Sequence, residues 1–134
     1  MEWTQLLTED ILGYSTKTFC TLNIINSSCN YIMLGVVDQK RIKNRSSWAH
    51  ENSIAFLLWN QSIYANGEQI EPEGAISNQY KTLGMEVQPD KGEIVWSIGG
   101  QNYLKKCDLL QQKDIEWVIY LEMFAPGDIV EWQQ

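Results

Sequence analysis

Two pairs of glutamates are the residues of this chain whose spacing could support acid–base chemistry. Glu86 and Glu93 lie on the two arms of one predicted hairpin, and Glu122 and Glu131 lie on the two arms of another. Two carboxylates about 5 to 9 Å apart on a sheet face form the catalytic pair of many glycosidases. All four residues, however, occupy polar positions that alternate with apolar ones, as solvated cross-strand neighbours do in an ordinary sheet. We therefore predict no catalytic role for them.

The other signals for catalysis or metal binding are weaker. His50 is the single histidine, and no Gly-x-Ser-x-Gly motif accompanies it, so a Ser-His-Asp triad is not supported. The glycines at 99 and 100 are followed by neither a Lys-Ser/Thr pair nor a predicted helix, and they predict a hairpin turn. Cys20, Cys29 and Cys107 lack CxxC spacing, which argues against a disulfide framework or a zinc site. The sequence predicts a protein that is not an enzyme and has no cofactor or metal.

Composition narrows the class of partner. The formal net charge is -7, from 17 acidic and 10 basic residues, and a nucleic-acid surface needs clustered Lys and Arg. The one basic run, Lys40, Arg41, Lys43 and Arg45, is soon followed by Glu51 and is typical of a solvated loop. No apolar run approaches the roughly 20 residues that cross a bilayer, and the amino terminus does not resemble a signal peptide. We expect an intracellular protein, cytoplasmic or nuclear, that binds neither nucleic acid nor membrane directly.

Aromatic residues are abundant, with six Trp and six Tyr. Trp96, Trp132 and Phe56 lie in strongly apolar segments and are predicted to belong to the core. Trp48 and Tyr64 instead lie in or beside polar loops, where large amphipathic rings often anchor a protein partner. A local plug at the end of a sandwich is the alternative role for both, and the sequence leaves the two roles open.

The elements that must position these residues are predicted to be strands. Apolar residues alternate with polar ones over 83–88 and again over 94–98, and Pro89 to Gly92 between them favours a turn. This pattern predicts an antiparallel hairpin. A second hairpin is predicted at Asn66-Gly67, a dipeptide favoured in tight turns. Turn signals recur about every ten residues along the chain, which is typical of an all-β sandwich.

Three further segments carry specific expectations. Tyr31–Val37 is almost continuously apolar, which predicts a strand covered on both faces, and Gly35 within it indicates a bulge or a close backbone approach. The strand from Trp117 to Phe124 is followed by a predicted turn and by a closing strand, Ile129–Trp132. The segment from Cys107 to Glu116 fits either one helical turn or a plain loop. A short helix after Thr8 is a further candidate, because an acidic pair follows this potential cap.

The segment from Leu83 to Gly100, Leu-Gly-Met-Glu-Val-Gln-Pro-Asp-Lys-Gly-Glu-Ile-Val-Trp-Ser-Ile-Gly-Gly, resembles the central hairpin of SPRY domains. Tyr-Ile-Met-Leu-Gly-Val-Val, Ile-Tyr-Ala-Asn-Gly-Glu and Val-Ile-Tyr-Leu-Glu-Met-Phe resemble other family segments and occur in the family's order. The resemblance extends from Phe19 to Trp132. It implies a bent sandwich of two antiparallel sheets, similar to a concanavalin-like jelly roll. We expect one such domain over residues 1–134, with 1–15 as a degenerate or truncated first strand.

The resemblance also implies a function, because loops at one end of SPRY domains bind partner proteins or short peptides. Tyr64 matches a tyrosine that lines the site in peptide-binding members, and Trp117 matches a tryptophan that contributes in some of them. An arginine near the amino terminus of those members has no counterpart, since Arg41 is the first arginine here.

The leading hypothesis is a non-catalytic protein-interaction module that binds its partner through Tyr64, Trp117, Trp48, Asn66 and Arg45. Two alternatives stay open. One is a structural subunit of a larger multiprotein complex, and the other is a carbohydrate-binding sandwich whose aromatic rings stack on sugars.

Overall fold

The computed structural model describes residues 4–8, 10–26, 31–41, 52–59, 62–66, 68–72, 82–123 and 129–133. The strands are β1 (Thr4–Leu7), β2 (Thr18–Asn26), β3 (Ile32–Asp38), β4 (Ser53–Leu57), β5 (Ser62–Ala65), β6 (Glu68–Pro72), β7 (Thr82–Gln88), β8 (Glu93–Ile98), β9 (Gln101–Lys106), β10 (Trp117–Met123) and β11 (Ile129–Gln133). Short 3₁₀ turns span Gln39–Arg41, Pro89–Lys91 and Asp108–Gln111. The third of these shows that the segment after Cys107 contains one helical turn.

The strands form two antiparallel sheets. A six-stranded sheet has the order β1-β10-β3-β4-β5-β6, and a five-stranded sheet has the order β11-β2-β7-β8-β9. The predicted all-β sandwich is confirmed. No helix among the described residues has both the length and the apolar character needed to span a membrane.

The core lies between the inner faces of the two sheets. Trp96 of β8 is fully buried there, and its ring stacks on Phe56 of β4 with centroids 5.6 Å apart. The indole Nε1–H of Trp96 also donates a hydrogen bond to the backbone oxygen of Leu34, at 3.0 Å. Because Leu34 belongs to the opposite sheet, this one side chain joins the sheets by both packing and a buried hydrogen bond.

The outer face of the six-stranded sheet is also buried along β3, β4 and β10. Every residue of β3 is buried, as its continuous apolar sequence predicts. The side chains that alternate with the inner ones form a second buried cluster, made of Met33, Val37, Ala55, Leu57, Val118 and Tyr120. Gly35 lies in the middle of this face, and a Cβ there would collide with the carbonyl oxygen of Ile54 and lie 2.6 Å from Cα of Ala55. The predicted close backbone approach at Gly35 is confirmed.

The five-stranded sheet has one covered face and one open face. Leu83, Met85 and Val87 of β7 are buried, while the residues between them are partly exposed, so the predicted hairpin β7–β8 is confirmed. Its turn ends at Gly92, which adopts a left-handed φ of 63°. Across the open face, Phe19, Glu86, Val95 and Leu104 lie side by side on neighbouring strands.

The prediction that β10 and β11 form a hairpin, with Glu122 and Glu131 on its two arms, is wrong. β10 pairs with β1 and β3 in the six-stranded sheet, whereas β11 pairs with β2 in the other sheet. The chain therefore passes from one sheet to the other between Met123 and Ile129. Glu122 is fully buried on the outer face of its sheet and Glu131 is exposed on the opposite sheet, so the prediction that Glu122 is solvated is also wrong.

Residues 4–8 are extended. β1 is an edge strand of the six-stranded sheet, paired with β10. The hydroxyl of Thr8 accepts a hydrogen bond from the backbone N–H of Ile119 at 3.1 Å, and Thr8 N–H donates to Ile119 O at 3.0 Å. Thr8 therefore continues the pairing with β10 and does not cap a helix.

Candidate functional site

Tyr64 lies on the outer face of the six-stranded sheet. Its neighbours along β5, Ile63 and Ala65, face the core, and strand alternation therefore turns Tyr64 outward. The side chain is half-buried and lies beside Ala55 of β4. Burial raises the pKa of the Tyr64 phenol above its usual range, and the charge of nearby Tyr31 adds to this shift. The ring thus combines a buried body with an accessible part, as an anchoring side chain requires.

Two more aromatic residues border the same face. The rings of Tyr31 and Trp59 stack with centroids 4.8 Å apart and an interplanar angle of 17°. Both side chains are half-buried, and with Tyr64 they pack against the outer-face cluster. Neither Tyr31 nor Trp59 was predicted from the sequence to belong to the site. The available signal was their place just before β3 and just after β4, because the start of one antiparallel strand lies beside the end of the next.

Asn66 lies at the end of β5 and is held in a fixed orientation. It adopts a left-handed φ of 52°, which asparagine tolerates better than most residues. Its side-chain Oδ1 accepts a hydrogen bond from the backbone N–H of Asn52 at 2.8 Å. Its own N–H donates to the backbone oxygen of Ser53 at 2.9 Å. The exposed Asn66 is therefore tied to the start of β4 at two points.

Asp38 extends this set of contacts to the end of β3. Its carboxylate accepts hydrogen bonds from the side chain of Asn52 at 3.3 Å and from the backbone N–H of Lys40 at 3.1 Å. Asp38 is only 6% exposed, and a buried carboxylate is stable when donors satisfy it in this way. We call Asp38, Asn52 and Asn66 the polar network. The end of the six-stranded sheet at which this network lies is called the loop end. The network holds three consecutive strand ends together next to Tyr64.

Trp117 is placed beneath the loop end and not on its surface. It pairs with Asp38 across the β10–β3 ladder, but its side chain points to the inner core and is 2% exposed. Its buried Nε1–H donates no hydrogen bond within the described structure. The inward direction follows from alternation, since Val118 occupies the outer face. Trp117 therefore supports the loop end from within the core.

The two remaining predicted site residues, Trp48 and Arg45, lie outside the described residues. The structure thus brings Tyr64 and Asn66 together on one exposed end, with Trp117 buried below them.

Two groups that could have supported chemistry, the Glu86 carboxylate and the Cys20 thiol, are paired or buried. Glu86 pairs with Lys17, with 2.8 Å between Oε1 and Nζ, and this contact raises the pKa of Lys17. Cys20 is buried, and burial raises the pKa of its thiol to about 12. No three His, Cys, Asp or Glu side chains within the described ranges are grouped so that they could hold a metal ion.

None of the family models matches the sequence, and no curated protein has significant sequence similarity to it. Solved structures do match. A human SPRY domain superimposes with a TM-score of 0.73 at 14% identity, covering 98% of this chain and 84% of that one. The SPRY domain of human HERC1 gives a TM-score of 0.76 at 13% identity, covering 98% and 82%. The TRIM65 PSpry domain gives 0.71 at 12% identity, covering 97% and 70%.

Identities of this size carry information about the fold alone, and they confirm the resemblance of the hairpin and its neighbouring strands at that level. This chain therefore has the fold of a SPRY domain.

Proposed function

We propose that this chain is a non-catalytic protein-interaction module that binds a partner protein or a short peptide at its loop end. Tyr64 and Asn66 would contact the partner directly, and Trp48 and Arg45 would join them from the connection between β3 and β4. Trp117 would act from below by fixing β10 against Asp38. The observation that carries the proposal is a half-buried tyrosine beside an exposed asparagine whose orientation the polar network fixes.

Physical arguments favour this pair as a recognition site. A tyrosine that is already partly buried loses little side-chain freedom on binding, and such rings are frequent among the residues that dominate binding energy. Asn66 is likewise ordered before the partner arrives, because Asn52 engages its Oδ1. A site with ordered side chains on strand ends loses less conformational entropy on binding than a mobile loop does.

The distribution of acidic residues supports the non-catalytic part of the proposal. Glu86 is engaged by Lys17, and Glu122 and Glu131 belong to different sheets. The pairs that suggested glycosidase chemistry are therefore not arranged as a pair of free carboxylates facing one cleft.

The test is quantitative copurification from the native source, with partner amounts measured by mass spectrometry. We expect Tyr64→Ala to lower recovery of a specific partner at least about tenfold, since an anchoring aromatic is typically worth 1.4 kcal/mol or more. Asn66→Ala should lower it less. Phe19→Ala is the matched control, because it removes an exposed aromatic ring from the open face of the other sheet. Circular dichroism would show that each variant is folded.

Retention of every partner by a folded Tyr64→Ala variant would refute the site. The same experiment addresses a second candidate function, a permanent structural subunit. Four of the five large apolar side chains that are exposed in the described residues lie on the open face, namely Phe19, Ile25, Leu104 and Ile129. Loss of the partner on Phe19→Ala, with no loss on Tyr64→Ala, would favour that second function.

A further inference from the structure

The two edges of the five-stranded sheet differ in how they are protected. β9 forms one edge and carries Lys105 and Lys106, and lysine on an edge strand discourages pairing with another chain. β11 forms the other edge, and its sequence Ile-Val-Glu-Trp-Gln contains no lysine, proline or glycine. An edge strand has a row of backbone N–H and C=O groups without a neighbouring strand. Among the described residues no strand pairs with the free side of β11, and its protection is limited to the register shift at Ile129 and the single charge of Glu131.

β11 also exposes apolar side chains on both of its faces. On the outer face Ile129 is 54% exposed, and it lies next to Ile25, 59% exposed, where the pairing with β2 shifts register. On the inner face Val130 and Trp132 are only half-buried, although Leu22 and Ile24 beside them in β2 are at most 4% exposed. A further strand along β11 would cover apolar surface on both faces and complete the hydrogen bonding of the edge.

The charge on β11 indicates which kind of segment could pair with this edge. Glu131 is the one charged residue of β11; it is exposed and lies between Val130 and Trp132. A second copy that paired antiparallel about Glu131 would place two glutamates opposite each other, and each chain carries a net charge of -7. We propose that the β11 edge accepts an extended segment of a partner protein with a basic residue opposite Glu131 and apolar residues opposite Val130 and Trp132. Main-chain hydrogen bonds would supply affinity and these side chains specificity.

The probe is a capped synthetic peptide, Gly-Thr-Val-Lys-Val-Ile-Gly, titrated into the ¹⁵N-labelled chain and followed by NMR. In antiparallel register its lysine faces Glu131 and its valines face Trp132 and Val130. We expect shift changes at the amides of 129–133 and at the Trp132 indole, with slower amide exchange along β11. Two further peptides are N-methylated, one on both valines and the other on the residues that alternate with them. Because only alternate N–H groups of a strand face its neighbour, one of these peptides should lose binding and the other should retain it.

A charge swap tests specificity. Replacing the peptide lysine by glutamate should weaken binding about threefold to fivefold, from the energy of one cross-strand charge pair. Glu131→Lys should reverse the preference, whereas Asp114→Lys, the same charge change on an exposed turn, should not. Tyr64→Ala should bind the peptide as the unmodified chain does, because the two surfaces are independent.

Several results would overturn the proposal. These are shift changes confined to β9 or to the loop end, equal binding of both N-methylated peptides, or a peptide preference that Glu131→Lys leaves unchanged. A concentration-dependent dimer in ultracentrifugation with protected β11 amides would assign the edge to a second copy and would refute a partner segment.

Discussion

The two sheets of this sandwich differ in their outer faces. The outer face of the six-stranded sheet is buried along β3, β4 and β10, with Met33 and Val118 at 1% and 0% exposure, whereas the five-stranded sheet exposes Phe19 and Leu104 to 58% and 50%. The primary structure shows the same difference, since β3 is continuously apolar and β7 alternates. The sheet whose strands β3, β4 and β10 are covered on both faces carries the proposed Tyr64 site, and the open sheet presents a face and an edge that we expect to tolerate change or accept a partner.

The largest expected difference between the two sheets is in the free energy of unfolding after one glycine in each sheet is substituted. Gly35→Ala should lower the free energy of unfolding by about 3 to 5 kcal/mol, because the new Cβ would meet backbone atoms of Ile54 and Ala55 that cannot rotate away. Gly84→Ala on the open face should change it by less than about 1 kcal/mol, since its Cβ would lie 3.6 Å from Cβ of Ser97 and the substitution stiffens the unfolded chain. Urea denaturation measures both.

Equal losses of stability in the two glycine variants would contradict the view that one sheet has a covered outer face and the other an open one. A folded, stable Gly35→Ala variant would show that β3 and β4 separate easily and that the outer face is not closely packed.

Truncation of an apolar side chain should also destabilise the six-stranded sheet more than the five-stranded sheet, by a smaller difference. Met33→Ala should cost about 2 to 4 kcal/mol, because it leaves a cavity in a buried cluster. Leu104→Ala should cost about 1 kcal/mol or less, because half of that side chain is already in water. Thermal unfolding monitored by circular dichroism would rank the two variants, and a Leu104→Ala cost equal to that of Met33→Ala would contradict an open outer face.

The covered face of the five-stranded sheet can be tested by the pH dependence of stability, because Cys20 is buried there. Its pKa rises from an ordinary 9.0 to about 12 on burial, so the unfolded chain loses this proton at a lower pH than the folded chain does. The free energy of unfolding should therefore fall as pH increases from about 9 to 12, by up to about 1.4 kcal/mol per pH unit. Relative to Cys20→Ala, the unmodified chain should be most favoured at or below pH 9. A stability difference that stays constant with pH would show that Cys20 is not buried as a neutral thiol.

How far the sequence predicts the fold depends on how local the interactions are. The β7–β8 hairpin was predictable because Pro89 to Gly92 encodes the reversal and the flanking alternation sets the buried face. The partner of β11 was not, because alternation shows which face is apolar and does not show which distant strand completes the ladder. The burial of Glu122 was not predictable either, because its polar position was taken to be solvated, whereas β10 is covered on both faces.

The candidate site was predictable in part. Tyr64 was selected as an aromatic residue beside a polar loop and by the family resemblance, Asn66 lies in the predicted tight turn, and the structure places both at the loop end. The inward direction of Trp117 depends on the register of β10 against β3, which local patterns do not encode. The stack of Tyr31 on Trp59 joins residues far apart in sequence, and their places before β3 and after β4 indicate it only once those two strands are known to pair.

Hydrogen–deuterium exchange of the chain bound to its copurified partner would test the central claim most directly. We expect the partner to slow exchange over residues 52–66, which include the start of β4, Tyr64 and Asn66, and to leave exchange on the open face of β7 and β8 unchanged. Slowed exchange over β7 and β8 with no change over residues 52–66 would contradict it and would place the binding surface on the five-stranded sheet.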